Sequence, residues 1–306
     1  MNQYKIFTGK IRLKNTLSIL VVSFILFYLF NFLYKNWCAV SAFDFRLHYN
    51  YLVISLILLF VYFLLRAGCW KIILKKMGIV LSMRKSMKVS FLSMMGRYLP
   101  GKVWMVVGKI YLSGKEGVPQ KEAFSSVVME IVLEMVTSIF FFFFYLFSVM
   151  EQPLLSPKVI YSLGILMVLG GSFLHPKIFY KIINNFLLKW KGEKVKECIS
   201  YMDIIQLFVF YTIIILCQGG AFYFFVNTIC YVPVDKILGL TGSLAVAGVV
   251  GTLSVFTPSG LGVREGVLAL LLSSYIASPV AVLVALLARL WVTVVEVVCA
   301  LFSWKL

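Results

Sequence analysis

Long apolar runs separated by short charged intervals organise the chain. They cover Leu17 to Tyr34, a stretch starting near Tyr51, about Ala123 to Met150, about Val159 to Leu174, Ile204 to Thr228 and about Pro279 to Trp304. Each approaches the roughly 20 residues that a helix needs to cross about 30 Å of hydrocarbon, so the pattern predicts six spans. Two further apolar segments are interrupted. Around "GRYLPGKVW", residues 96–104, the arms from roughly Met87 to Leu99 and from Lys102 to Leu112 are too short to cross. Between Ile237 and Ala277, two arms flank "TPSGLGVREG". Proline and glycine interrupt helices. Both segments therefore read as re-entrant hairpins, whose irregular tips are tolerated at membrane depth only where protein or water covers them. Two full crossings by the second segment would leave the C-terminus on the same side.

The expected fold is an all-α polytopic integral membrane protein of about six full spans plus two interrupted re-entrant hairpins, forming a single transmembrane domain over residues 1–306. The order span, hairpin, span occurs over residues 51–150 and again over 204–304. The first hairpin dips from the cytoplasm and the second from outside. Such an inverted repeat, with paired Gly/Pro-interrupted segments, points to a transport site near the bilayer midplane.

Composition strengthens the membrane reading. Hydrophobic residues make up 61% of the chain and charged residues 13%, against roughly 45 to 50% apolar usage in soluble domains. No soluble catalytic domain is expected. The formal net charge of +17 is first of all topological, because Lys and Arg accumulate in cytoplasmic loops. Lys5, Lys10, Arg12 and Lys14 precede the first run. Arg66, Lys71, Lys75, Lys76, Arg84, Lys85 and Lys88 follow the second without an intervening acid, and a further basic loop extends from Lys177 to Lys196. Both termini are thus expected to be cytoplasmic, in a bacterial-type inner membrane. The first run exceeds the 7 to 15 residues of a signal-peptide core and reads as a retained span. Without a soluble basic face, nucleic acid is not an expected partner. The six cysteines form no C-x-x-C pair and only His48 and His175 could join them, so neither a metal site, a disulfide framework nor any other cofactor is expected.

Several charges lie in apolar context: Glu130 and Glu134 in "VVMEIVLEMV", Arg264 and Glu265 in "GVREGV", Arg289, and Glu296 in "WVTVVEVV". A charge at the bilayer centre costs at least about 2.5 to 3.5 kcal/mol, so these residues should face protein or a water-filled cavity and pair. Glu130 and Glu134 share a helix face, where two carboxylates repel. One should be protonated, or paired with a cation such as Arg97, Arg264 or Arg289. Arg289 and Glu296 lie two turns apart and should reach to other helices. These four residues are the expected coupling or buried charge network.

The helix that restarts after Pro258 and Gly260 would aim its backbone N–H groups at the hairpin tip, where Thr257 and Ser259 add hydroxyls; that suits an anion such as phosphate. Arg264 opposes its own helix dipole, which implies a compensating ligand or carboxylate, whereas Glu265 favours the dipole. In the first hairpin, Gly96 and Pro100-Gly101 permit a turn, and Arg97 and Lys102 offer cations to a phosphate headgroup. The plain alternatives are snorkelling basic residues and a purely structural ion-pair network. The run Phe140 to Phe144 reads as packing.

The motifs "GRYLPGKVW" and "TPSGLGVREG", roughly 160 residues apart, resemble those of the lysylphosphatidylglycerol synthase/flippase transmembrane family, over nearly the whole chain. In its bifunctional members the membrane domain moves an aminoacylated phospholipid to the outer leaflet, and a separate C-terminal domain makes that lipid from aminoacyl-tRNA. This chain ends at Leu306 without such a domain, so the resemblance implies a stand-alone translocase, not an enzyme. It places Arg97, Pro100, Gly101, Pro258, Gly260, Gly262, Arg264 and Glu265 at motif positions. With Lys102, Thr257 and Ser259 these make up the expected substrate site, Pro258 serving as the helix break. One departure stands out. Relatives often carry "ER" followed by an acid where this chain has Glu130-Ile131 and, next, Glu134. Stand-alone members resemble accessory proteins of cell-envelope glycolipid pathways. The implied partners are therefore a phospholipid or isoprenoid-phosphate lipid and cell-envelope glycosyltransferases, and the chain could oligomerise.

The leading expectation is a flippase for a phosphate-bearing lipid. No Walker-type loop is present, so protons, ions or a lipid gradient would drive it, with Glu130 or Glu134 as proton carrier. A secondary transporter of a small anionic solute and a noncatalytic scaffold for envelope enzymes are the alternatives. An intramembrane transferase is disfavoured by the scarcity of His and clustered Asp.

Overall fold

The computed structural model describes residues 27–35, 41, 48–98, 103–148, 161, 164–165, 175–191, 195–196, 198–254 and 260–305. These residues form ten helices and no strand. They are α1 (27–35), α2 (Tyr49–Lys76), α3 (Met83–Met94, continued by a 3-10 turn over Met95–Tyr98), α4 (Trp104–Lys115), α5 (Gln120–Ser148), α6 (Pro176–Lys191), α7 (Tyr201–Ile229), α8 (Ile237–Leu253, entered through a 3-10 turn over Val234–Lys236), α9 (Val263–Leu272) and α10 (Ser278–Trp304). The chain is an all-α polytopic membrane protein. Tyr49–Lys76, Gln120–Leu146, Tyr201–Ile229, Val234–Leu253 and Ser278–Trp304 are long and apolar enough to cross a bilayer.

Four of the expected spans coincide with α2, α5, α7 and α10. Of Leu17 to Tyr34 only α1 is described, and of Val159 to Leu174 only residues 161 and 164–165. The interrupted segments differ from each other. At 1.5 Å per residue, α3 and α4 are each about 18 Å long. In the second segment, α8 with its preceding turn is long enough to cross, whereas α9 is only about 15 Å long. The basic stretch Lys177 to Lys196, expected as a loop, instead contains α6. That helix is amphipathic: Phe179, Tyr180, Ile183 and Leu187 are buried, while Lys177 and Lys181 are exposed.

Local sequence explains the helix starts. Ser82 caps α3, its Oγ accepting the Lys85 N–H at 3.3 Å. At α7, Ser200 and Asp203 cap each other reciprocally, with the Ser200 N–H donating to Asp203 Oδ2 at 2.9 Å, a capping box. Pro279 stands in the first turn of α10, where its missing N–H breaks no hydrogen bond.

At the centre α2 and α7 run antiparallel. The His48 N–H donates to the Thr228 carbonyl at one end and Lys76 pairs with Asp203 at 2.5 Å at the other. Leu59, Tyr62, Phe63, Leu207, Tyr211 and Phe222 bury their side chains in the shared core. The remaining contacts fall into matched pairs. Helix α3 packs on α2 as α8 packs on α7, α4 on α3 as α9 on α8, and α5 on α4 as α10 on α9. Across the middle, α10 rests on α3 as α5 rests on α8. The pattern is two-fold. Apolar residues such as Ile205, Val209 and Ile213 on α7 and Leu290, Val294, Val298 and Leu301 on α10 stay exposed, forming a belt suited to acyl chains.

Missing Cβ atoms permit the closest crossings. A Cβ on Gly96 would lie 2.7 Å from the Trp104 carbonyl oxygen, so the turn after α3 meets the start of α4 only over hydrogen. On Gly242 it would fall 2.4 Å from the Phe141 carbonyl oxygen, where α8 crosses α5, and on Gly219 it would collide with the Thr241 side chain. Phe141 and Phe142 accordingly pack inside the protein. Gly242→Ala should therefore destabilise the fold by about 1 to 3 kcal/mol. Gly220→Ala, with nothing within 4 Å of its Cβ, should be neutral or stabilise by about 0.5 to 1 kcal/mol. Unfolding midpoints in mixed micelles would compare the two.

Candidate functional site

The principal cavity, of about 190 Å3, lies among α2, the turn after α3, α4, α5, α7, α8, α9 and α10. Its walls are largely apolar but carry four arginines, Arg66, Arg97, Arg264 and Arg289, against two acids, Glu134 and Glu296. Gln218, Ser138 and Thr252 add neutral polar groups. The site thus draws on elements from both parts of the chain.

On one wall Arg66 is the hub. Its Nε donates to Glu130 Oε1 at 3.0 Å, and its Nη2 to Glu134 Oε2 at 2.6 Å. Glu130 is also bound by Lys109 Nζ at 2.5 Å, and that ammonium lies 4.4 Å from the centroid of the Trp70 ring. Trp70 in turn donates to Ser126 at 3.1 Å. The like charges of Glu130 and Glu134, four residues apart, are thereby reconciled by a guanidinium between them and an ammonium behind one of them. Their cations are Arg66 and Lys109, whereas Arg97, Arg264 and Arg289 were the ones anticipated. In the sequence Arg66 adjoins the cytoplasmic basic stretch, and Lys109 stands in an arm of the first interrupted segment.

On the opposite wall Arg97 Nη1 donates to Glu296 Oε1 at 2.6 Å, and the Tyr98 hydroxyl donates to Glu296 Oε2 at 2.5 Å. The Glu296 side chain is almost wholly buried. Arg289 lies 5.8 Å over the Tyr98 ring, within range of a cation–π contact. Glu296 and Arg289 therefore both reach the 3-10 turn that follows α3.

Arg264 differs from its neighbours. Among the described residues it makes no ion pair, and the charges that act on it are those of Arg289, Glu265, Arg97 and Glu296. Backbone packing fixes where it points. Gly260, with φ of +69°, lies so close to α8 that a Cβ would fall 2.6 Å from the Gly251 Cα, and a Cβ on Gly251 would lie 2.9 Å from the Arg264 Cβ. These two glycines seat the start of α9 against α8 and put Arg264 on the cavity wall. Gly262, at φ +81°, is the residue before the helix, and its N–H donates to Glu265 Oε2 at 2.7 Å. Glu265 is buried and absent from the cavity wall. Its carboxylate thus occupies one of the backbone N–H groups expected to meet an anionic ligand. Pro100, Gly101, Lys102, Thr257, Pro258 and Ser259 lie outside the described residues.

Antiparallel α2 and α7, two interrupted segments and a cavity lined by four arginines characterise a multi-pass membrane protein. The chain matches the lysylphosphatidylglycerol synthase TM region over residues 15–299 and belongs to that family. No curated protein matches it. Membership connects the protein with membrane lipids.

Removing one member of a buried ion pair typically costs about 3 to 5 kcal/mol, because the other charge stays behind. Glu296→Gln should cost an amount of this order. Adding Arg97→Met should restore part of it, which unfolding of the two variants in mixed micelles would show.

Proposed function

We propose that the protein is a lipid translocase, not an enzyme, that moves a phosphate-bearing lipid between the leaflets of a cell membrane. The observation that carries this reading is Arg264, a guanidinium that has no ion-pair partner among the described residues and stands on the wall of a cavity that already holds three other arginines. An arginine enclosed by membrane helices is costly unless an anion meets it, and a phosphate accepts bidentate guanidinium bonds.

Access from the bilayer fits the same reading. On α4, Met105 and Val106 line the cavity, while Trp104, Val107 and Tyr111 are exposed. One helix thus separates the site from lipid. A headgroup could pass within the protein while its acyl chains remain outside, avoiding the desolvation of an anion in hydrocarbon. The matched contacts support treating residues 51–150 and 204–304 as inverted half-repeats with re-entrant hairpins, since their first helices run antiparallel and the site lies between the halves. The basic segments gather at one end, where Lys76 meets Asp203, Lys85 meets Glu116 and Phe124 stacks on Phe186. Helix α10 runs alongside α2 in the same direction, with Ser55 bound by Trp291 and Phe60 against Phe302. Under the positive-inside rule that end, and with it the C-terminal end of α10, is cytoplasmic.

The cavity volume favours one second reading, the transport of a small anionic solute, because about 190 Å3 holds a headgroup and not whole acyl chains. Reconstitution into vesicles with fluorescent phospholipid, followed by quenching of the outer leaflet, tests both. Wild type should exchange the lipid across the bilayer, and Arg97→Ala with Arg264→Ala should reduce exchange at least about tenfold, the loss of one charge-assisted bond. Lack of exchange by well-folded wild type, together with uptake of a soluble organic phosphate, would establish the solute reading instead.

A further inference from the structure

The charges around the cavity do more than call for an anion: they specify how much charge it should carry. Among the described residues, four guanidiniums on the walls face two carboxylates, an excess of two positive charges. The Lys109–Glu130 pair behind the wall is balanced and leaves that excess unchanged. Glu265 is absent from the cavity wall and its Oε2 accepts the N–H of Gly262 at the start of α9, so it caps that helix and does not enter the count of wall charges. The guanidiniums also divide by partner. Arg66 is held between Glu130 and Glu134, and Arg97 is held by Glu296. Arg264 has no such acid among the described residues, and it lies near enough to Arg97 and Arg289 to feel both as like charges.

A headgroup has to complete this arrangement. Like charges in a poorly solvated interior repel strongly, and a ligand stabilises the site most when it brings the sum near zero. Against the excess of two on the walls, a phosphodiester with one negative charge would leave half of it in place. An aminoacylated headgroup, in which an ammonium offsets or outweighs the phosphate, would leave all of it or add to it. A phosphate monoester carries about 1.5 to 2 negative charges near neutral pH and presents three terminal oxygens, enough for more than one guanidinium at once.

Building on the reading of this cavity as a headgroup site, we propose that it selects lipids ending in a phosphate monoester or a diphosphate, whose headgroup carries two or more net negative charges, over phosphodiester and aminoacylated lipids. Arg264 is the residue that makes the distinction, because Arg66 and Arg97 already have carboxylates. The cavity admits the phosphate end while α4 stands between it and the chains.

The test uses the full chain in nanodiscs of phosphatidylcholine, with lipids retained on the protein counted by native mass spectrometry. The probes are phosphatidic acid as the monoester, phosphatidylglycerol as the single-charge diester, lysylphosphatidylglycerol as the aminoacylated lipid, and soluble glycerol 3-phosphate as competitor. Phosphatidic acid should be retained at least about tenfold better than phosphatidylglycerol, the scale of one charge-assisted hydrogen bond. Arg264→Gln should erase that preference, and Arg264→Lys, which keeps the charge and guards against a folding defect, should retain much of it. Equal retention of the two anionic lipids, both lost in Arg264→Gln, would leave the headgroup site standing and overturn the two-charge selectivity. Preferential retention of lysylphosphatidylglycerol would overturn it in the same way. Retention of no probe above phosphatidylcholine, with glycerol 3-phosphate bound instead, would overturn both the selectivity and the lipid site on which it rests.

Discussion

An ionised side chain surrounded by apolar helices must meet a counter-charge, and much of this architecture follows from that constraint. Arg66 on α2 joins Glu130 and Glu134 on α5, and Lys109 on α4 completes the cluster. Arg97, at the end of the first interrupted segment, reaches Glu296 on the last helix. The first cluster ties three helices of the early part of the chain together. The second crosses between residues almost two hundred positions apart. Replacing buried pairs by hydrophobic residues is often neutral or stabilising, so stability alone does not account for so many charges around one cavity. On the reading proposed above, an anionic headgroup that enters among them gives their presence a function.

Glycine is what lets the charged helices come together. The turn after α3 meets the start of α4 over Gly96, α8 crosses α5 at Gly242, and the start of α9 approaches α8 through Gly251 and Gly260. In each case the nearest atoms leave no space for a Cβ, so the approach sets the positions of the functional side chains as well as those of the backbones. The matched helix contacts extend this logic to the whole domain. Arg66 on α2 and Gln218 on α7 stand at equivalent depths in corresponding helices and both line the cavity.

Much of this was legible in the chain itself. The apolar runs located α2, α5, α7 and α10, and the two Gly/Pro motifs marked where helices stop. Charges within apolar context singled out Glu130, Glu134, Arg264, Arg289 and Glu296, because the cost of an unpaired charge does not depend on knowing its partner. Partners were harder to read. Arg66 sits in "FLLRAGCW", close enough to Lys71, Lys75 and Lys76 to look like part of a topological signal, and only the depth of α2 within the bundle separates its role from theirs. Glu265 was grouped with Arg264 by adjacency, yet the two side chains diverge: one caps the helix and the other lines the cavity.

Composition and periodicity determined that this protein is a helical membrane protein with buried charges and two interrupted segments, since hydrocarbon imposes its length and polarity requirements on each stretch locally. The pairing of Arg66 with two glutamates, the reach of Arg97 to Glu296 and the exposure of Arg264 to the cavity were decided only by the tertiary structure. Those relations depend on which helices cross and how closely, and the crossings are set by packing among residues far apart in the chain.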